Sequence, residues 1–281
     1  MTPIDQEIAL DWTGRAAKKL GGGRQTQVRS TFFYRATGSD AAPPATRLLK
    51  NRSQDGLQVK LALFYLWAAG SANPDPRTGK AHTVKFHDVD VANVFGLLDP
   101  GGNGKRRIAN ARKRLASKEC PLIRLEAGHG GSRRVILNWE DGSGSPYLAP
   151  GEPGGGGNYY KLPKQFWTNG WHLYLSGPAI VAHLILQQMQ RTGRQSRAWV
   201  SPSFRERHFG FSEDTWYRGV NELWSWGIVE RTSETIREAF EDEARRRRFT
   251  YELNQQRFHQ EPAPDPGRIL LEDSGHSTSA S

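Results

Sequence analysis

The feature that most constrains this chain is a run of four consecutive glycines, Gly154 to Gly157. It closes a stretch from Asp141 to Asn158 that also holds Gly142, Gly144, Pro146, Pro150 and Pro153. A segment of that composition has almost no side chains with which to build a core, and its glycines lose much conformational entropy on ordering. Residues 141–157 therefore read as a flexible Gly/Pro-rich linker that divides the chain. The ends read as tails. Residues 1–44 carry Gly21 to Gly23, scattered cations and the pair Pro43 and Pro44, with Thr31 to Tyr34 as a docked strand. Residues 255–281 carry Pro262, Pro264 and Pro266 and finish in small polar residues. Two domains remain, 45–140 and 158–254, each of about one hundred residues, an ordinary domain size.

Both domains follow one order of elements. In the first, Leu57, Leu61 and Phe64 fall at helical spacing, so a buried helix begins at Leu57. A short helix spans Asp88 to Phe95, with Asp88 placed to cap it and Gly96 to end it. A longer helix follows from Lys105 to Lys118, with Ile108, Ala111 and Leu115 on its inner face. Two alternating runs, Leu122 to Glu126 and Arg133 to Trp139, flank a glycine turn and predict a β-hairpin. In the second, Tyr159 to Leu162 is a strand and Ser176 and Pro178 open a helix that is apolar nearly all round from Ala179 to Met189. Ser201 opens a short helix ending at Phe209, and Ser212 opens a third with Trp216, Val220 and Leu223 inward. Ile228 to Arg231 and Phe249 to Leu253 are wing strands. Residues 233–248 between them read as a helix-like insertion, with Glu241 and Arg245, and Glu243 and Arg247, at i,i+4. Three helices and a hairpin, twice over, give the expected fold class: α+β, mostly α, with two tandem winged-helix (helix-turn-helix) domains.

Charge supplies the functional expectation. The chain carries 39 Lys and Arg against 29 Asp and Glu, a net charge of +10 that favours polyanionic partners. The excess is concentrated where a helix-turn-helix would meet the major groove. Lys105, Arg106, Arg107, Arg112, Lys113, Arg114 and Lys118 occur with no acid between Gly101 and Lys118. Arg106, Asn110 and Lys113 project together, and Arg and Asn are suited to guanine and adenine edges respectively. Arg133 and Arg134 add cations at the wing. The second domain offers Tyr217, Arg218 and Asn221 on its third helix, diluted by Glu213, Asp214 and Glu222, and Arg246 and Arg247 beyond. The expected partner is double-stranded DNA, with dimerisation allowed but not required.

Other chemistries find little support. The run Asp99 to Arg106 has glycine and lysine but lacks the spacing and hydroxyl of a nucleotide-binding P-loop, although its amides are placed to approach a DNA phosphate at a helix N-terminus. The single cysteine, Cys120, excludes an internal disulfide and any multi-thiolate zinc site. No metal-binding or nucleophile–base motif is present, so neither enzyme activity nor a cofactor or metal is expected. No apolar stretch approaches membrane-spanning length, and a cytoplasmic, nucleoid-associated protein is expected.

Several runs carry a resemblance: Tyr160 to Trp171 (YKLPKQFWTNGW), Leu175 to Pro178 (LSGP), Trp199 to Pro202 (WVSP) and Phe209 to Thr215 (FGFSEDT), with Phe95 to Leu97 (FGL) and Gly102 to Arg107 (GNGKRR). Together they resemble winged-helix proteins of actinobacteria, over residues from about 55 to 255, and the likeness implies a winged-helix fold and DNA binding. The tandem layout is also similar to that of theta-type plasmid replication initiators. Three roles are therefore open: a transcriptional regulator, a replication initiator of a mobile element, or a non-catalytic interaction module that uses the apolar helix 179–189.

Overall fold

A computed structural model describes residues 3–20, 25–35, 38–50, 56–71, 82–127, 133–193, 196–237 and 245–263. The fold is mixed α+β, about half helical, with three small antiparallel sheets. One unit runs α3 (Leu57–Ser71), β2 (Thr83–Val84), α4 (Asp88–Val94), α5 (Lys105–Leu115), β3 (Ile123–Ala127) and β4 (Arg133–Leu137). Its sheet has the order β2-β4-β3. A second unit runs α8 (Gly177–Gly193), β6 (Arg197–Ala198), α9 (Pro202–Phe209), α10 (Glu213–Ser225), β7 (Val229–Arg237) and β8 (Arg245–Leu253), with the order β6-β8-β7. The two thus repeat one topology, in which the strand after the first helix pairs with the last strand of the hairpin. Local chemistry sets their boundaries. Ser201 and Ser212 accept hydrogen bonds from the amides of Phe204 and Thr215, and Gly210 ends α9 in the left-handed region.

Much of what the structure describes of the expected tails is folded. Helix α1 (Pro3–Lys19) buries Ala9, Thr13, Ala16 and Ala17. Strand β1 (Thr26–Arg29) pairs antiparallel with β5 (Tyr159–Leu162), and a 3-10 turn over Ser30–Phe32 places Phe32 and Phe33 in the core. Helix α2 (Pro44–Leu49) packs between the units, where Thr46 Oγ1 donates to Phe209 O at 2.5 Å. Beyond β8, Phe258 is buried in a 3-10 turn, Gln255–His259, whose backbone carbonyl accepts from Trp171 Nε1 at 3.2 Å. Residues 264–281 of the expected tail lie outside the described residues. These apolar side chains gain burial only through partners far along the chain, which local composition does not reveal.

The segment expected as a flexible linker is held by hydrogen bonds to a buried side chain. Arg29, with its side chain 2 % exposed, pairs with Glu140 and donates to the carbonyls of Leu148 (2.6 Å), Gly155 (2.8 Å) and Gly156 (3.1 Å). Its guanidinium also lies 4.0 Å over the Trp139 ring. Glycine carbonyls are as good acceptors as any others, so a buried guanidinium with five N–H groups can organise a segment that has few side chains. Burial pushes the Glu140 carboxyl upward, and Arg29 opposes that shift.

Buried residues of the two units belong to one continuous core. Trp67 of α3 and Trp167 of α6 (Gln165–Thr168) stack at 5.1 Å, and Phe64 meets Trp167 edge-on. Gly56 and Gly177 approach so closely that a Cβ on Gly56 would lie 2.3 Å from Gly177 Cα. α7 (Trp171–Tyr174) joins α6 to α8. Because β1, α2 and α8 cover α3, it is buried on all sides, Lys60 and Gln58 included, rather than along one stripe. The same core encloses Ala179 to Leu186, so the apolar helix offered as a partner surface is already covered within the chain. The helix-like insertion is also corrected. Ser233 to Arg237 and Arg245 to Arg248 continue the hairpin ladder, from Ser233 opposite Phe249 to Arg237 opposite Arg245. Glu241 and Glu243 lie outside the described residues.

Candidate nucleic-acid interface

The cationic helix α5 is entered through a π-type turn, Pro100–Gly104. Asp99 initiates it in the left-handed region, at φ 50°, and its carboxylate accepts from the amides of Gly102 (3.1 Å) and Asn103 (2.8 Å). A Cβ on Gly102 would sit 2.3 Å from Asp99 Oδ2 and would displace this carboxylate. The expected phosphate cradle is therefore corrected: its amides already hold an internal carboxylate. Anions would be drawn to this helix by side chains, not by its N-terminal backbone.

From that start α5 presents a sharply divided surface. Ile108, Ala111 and Leu115 are buried, while Lys105, Arg106, Asn110, Lys113 and Arg114 are exposed. Arg107 is half-buried, and Lys118 is exposed in the turn beyond the helix. Arg106 Nη2 donates to Asn103 Oδ1 at 3.0 Å, tying the head of the helix to its entry turn. The helix carries six cations and no acid. Such a face repels itself along the helix and gains no i,i+4 stabilisation, so it depends on the buried stripe for its stability.

Arg112 is not part of that face. It is buried beneath α4, where its guanidinium donates to both oxygens of Asp88 at 2.5 and 2.9 Å. The phosphate contact expected of Arg112 is corrected to a structural one, and Asp88, expected as a cap, is the acceptor that holds it. Position 112 lies four residues from Ile108 and one from Ala111, so it borders the buried stripe.

The corresponding helix of the second unit is chemically different. Tyr217 and Arg218 are exposed, but Arg218 pairs with Asp214 at 3.4 Å across one exposed turn. Asn221 is half-buried, and its Oδ1 accepts from Arg231 Nη1 at 2.9 Å. Arg231 in turn lies over the rings of Trp224 and Phe249, at 4.8 and 5.0 Å. The acceptor that Asn221 would offer a base is thus already engaged by Arg231 of β7. Glu222, expected to dilute the field of this helix, is turned inward and accepts from Ser176 N (2.6 Å) and Oγ. Burial pushes its carboxyl upward, and the Ser176 bonds oppose that shift.

On the two hairpins, Arg134 is exposed on β4 opposite Glu126, and Arg133 stands opposite Ala127. Arg246 and Arg247 occupy β8 opposite Ile236 and Thr235. Their neighbour Arg248 pairs with Glu234 at 2.8 Å and lies 5.3 Å over the exposed Trp199 ring. Reading the sequence missed Arg231 and Asp99, and nothing in the spacing of either one announced its partner.

No known family, curated protein or solved structure matches this chain. Among the described residues no helix is long and apolar enough to cross a membrane, and no group of three or more His, Cys, Asp or Glu is placed to hold a metal ion.

Proposed function

We propose that the two repeated units are winged helices and that the chain binds double-stranded DNA sequence-specifically as a transcriptional regulator. The observation that carries this reading is the exposed, acid-free face of α5, with Asn110 between Arg106 and Lys113 and with its opposite face locked into the core. In that arrangement Arg106 and Asn110 read base edges, while Lys105, Lys113, Arg114 and Lys118 hold phosphates and set register. The repeated element order and the matching sheet orders support the winged-helix assignment. The second unit contributes Tyr217 and Arg218, with Asn221 held back by Arg231, so it reads fewer positions than the first.

Selection of bound duplexes from a random library by the full chain tests this. The expected product is one non-palindromic site of roughly 20 base pairs, since two unlike recognition helices would lie on one chain. Absence of enrichment over the starting library would reject sequence-specific binding. Repeats of the selected site flanking the chain's own gene would assign the same chemistry to a replication initiator instead.

A further inference from the structure

A cleft of about 770 Å³ opens between β5, α8 and the C-terminal turn Gln255–His259. That volume lies in the range of small-molecule sites and is large enough for a mononucleotide. Its chemistry is one-sided. Lys161 and Arg191 line it, and no Asp or Glu is among its described lining residues, so it suits an anion and not an amine. Arg191 is fixed by donating one N–H to Tyr159 O at 3.1 Å, and its guanidinium lies 5.8 Å from the centre of the Tyr160 ring. A guanidinium has further donors in its fork for an anionic group.

The remaining wall offers flat faces and paired hydrogen-bonding groups. Half-buried Tyr159 supplies aromatic surface, backed by the buried rings of Tyr160 and Phe258. Five glutamines line the cleft, and a carboxamide carries a donor and an acceptor side by side, the pattern that a base edge complements. Two of the lining groups are under-satisfied. Gln187 donates to Lys161 O at 3.1 Å while its Oε1 is buried without a partner. His183, 1 % exposed and set edge-on to Phe258, has a buried Nδ1 without one. Burial holds this imidazole neutral, so it is no counter-charge to the ligand. Buried polar atoms without partners are rare in native proteins and call for an explanation.

We propose that this cleft binds a nucleoside monophosphate, with the base against the aromatic and carboxamide wall and the phosphate at Lys161 and Arg191. The site is separate from α5 and does not rest on the DNA reading. It draws on β5, α8 and the C-terminal turn at once, so an occupant braces α8, the helix on which α10 packs.

The test is a thermal-shift and calorimetric titration of the full chain with AMP, GMP, CMP and UMP, and with adenosine and inorganic phosphate as part-ligands. At least one nucleotide is expected to raise Tm by roughly 2–4 °C and to bind below about 1 mM, with each part-ligand about tenfold weaker or more. Lys161→Glu, at an exposed position, is expected to weaken that nucleotide at least about tenfold while leaving the ligand-free Tm unchanged. Gln187→Leu is expected to weaken it comparably. Binding by none of the four nucleotides, phosphate alone binding as tightly as any of them, or an unaffected affinity in Lys161→Glu would overturn the proposal.

Discussion

Arg112 of α5 clasps Asp88 of α4 through two hydrogen bonds, at 2.5 and 2.9 Å, with side-chain exposures of only 8 and 11 %. The pair sets how α5 sits on α4, and neither charge has ready access to water. Removing one partner leaves the other buried and uncompensated. Arg112→Ala is therefore expected to cost about 3–5 kcal/mol of stability. Lys113→Ala, one residue along but exposed, should stay within about 0.5 kcal/mol of the parent. Urea unfolding of the two variants checks this, and equal losses would show that Arg112 is not buried in a pair.

The shared core makes a second expectation. Gly56 has φ +60° and faces Gly177 at a distance that leaves no space for a methyl group, whereas a Cβ on Gly156 would meet nothing within 4 Å. Gly56→Ala should destabilise by at least about 2 kcal/mol, from backbone strain and overpacking. Gly156→Ala should be nearly neutral. The parent should unfold in one calorimetric transition, because Trp67 and Trp167 belong to a single core. Two separated transitions would restore the picture of independent domains.

How much of this was legible in the sequence depended on the range of the interaction. The stripe Ile108, Ala111 and Leu115 and the caps Ser201 and Ser212 act within a few residues, and periodicity found them. Arg29 acts on Glu140 and on glycine carbonyls more than a hundred residues away, so the segment it orders looked like a linker. Burial of α1, β1 and Phe258 likewise depends on distant partners. Arg112 and Arg114 look alike in composition, and only the adjacency of position 112 to the buried stripe distinguishes them. The cationic face of α5 was legible because charge on a helix follows directly from spacing. The closed state of its N-terminal amides was not, since Asp99 reaches them only through a left-handed backbone.

Two buried histidines give the chain an acid limit. His172, which donates to Val94 O at 2.9 Å, has its pKa pushed down by burial to about 4, and His183 to about 3. In the unfolded chain each titrates near 6.5, so below that pH the unfolded state binds more protons and stability falls with pH until the folded values are reached. Each residue should contribute a loss of about 2 kcal/mol between pH 7 and pH 5. His183→Gln should remove its share, so that its loss over this interval is about 2 kcal/mol smaller than the parent's in urea unfolding. Identical losses would place His183 in contact with solvent.

On the proposed reading, DNA is gripped by the exposed cations of α5. Fluorescence anisotropy with a labelled duplex, titrated from low to high salt, measures it directly, because each phosphate held by a cation contributes about 0.9 to the slope of log K against log salt. The triple variant Arg106→Ala, Lys113→Ala, Arg114→Ala removes no buried partner. It is expected to bind more weakly and to flatten the slope by roughly two to three relative to the parent. A folded triple variant with the parent's slope and affinity would move the DNA away from α5.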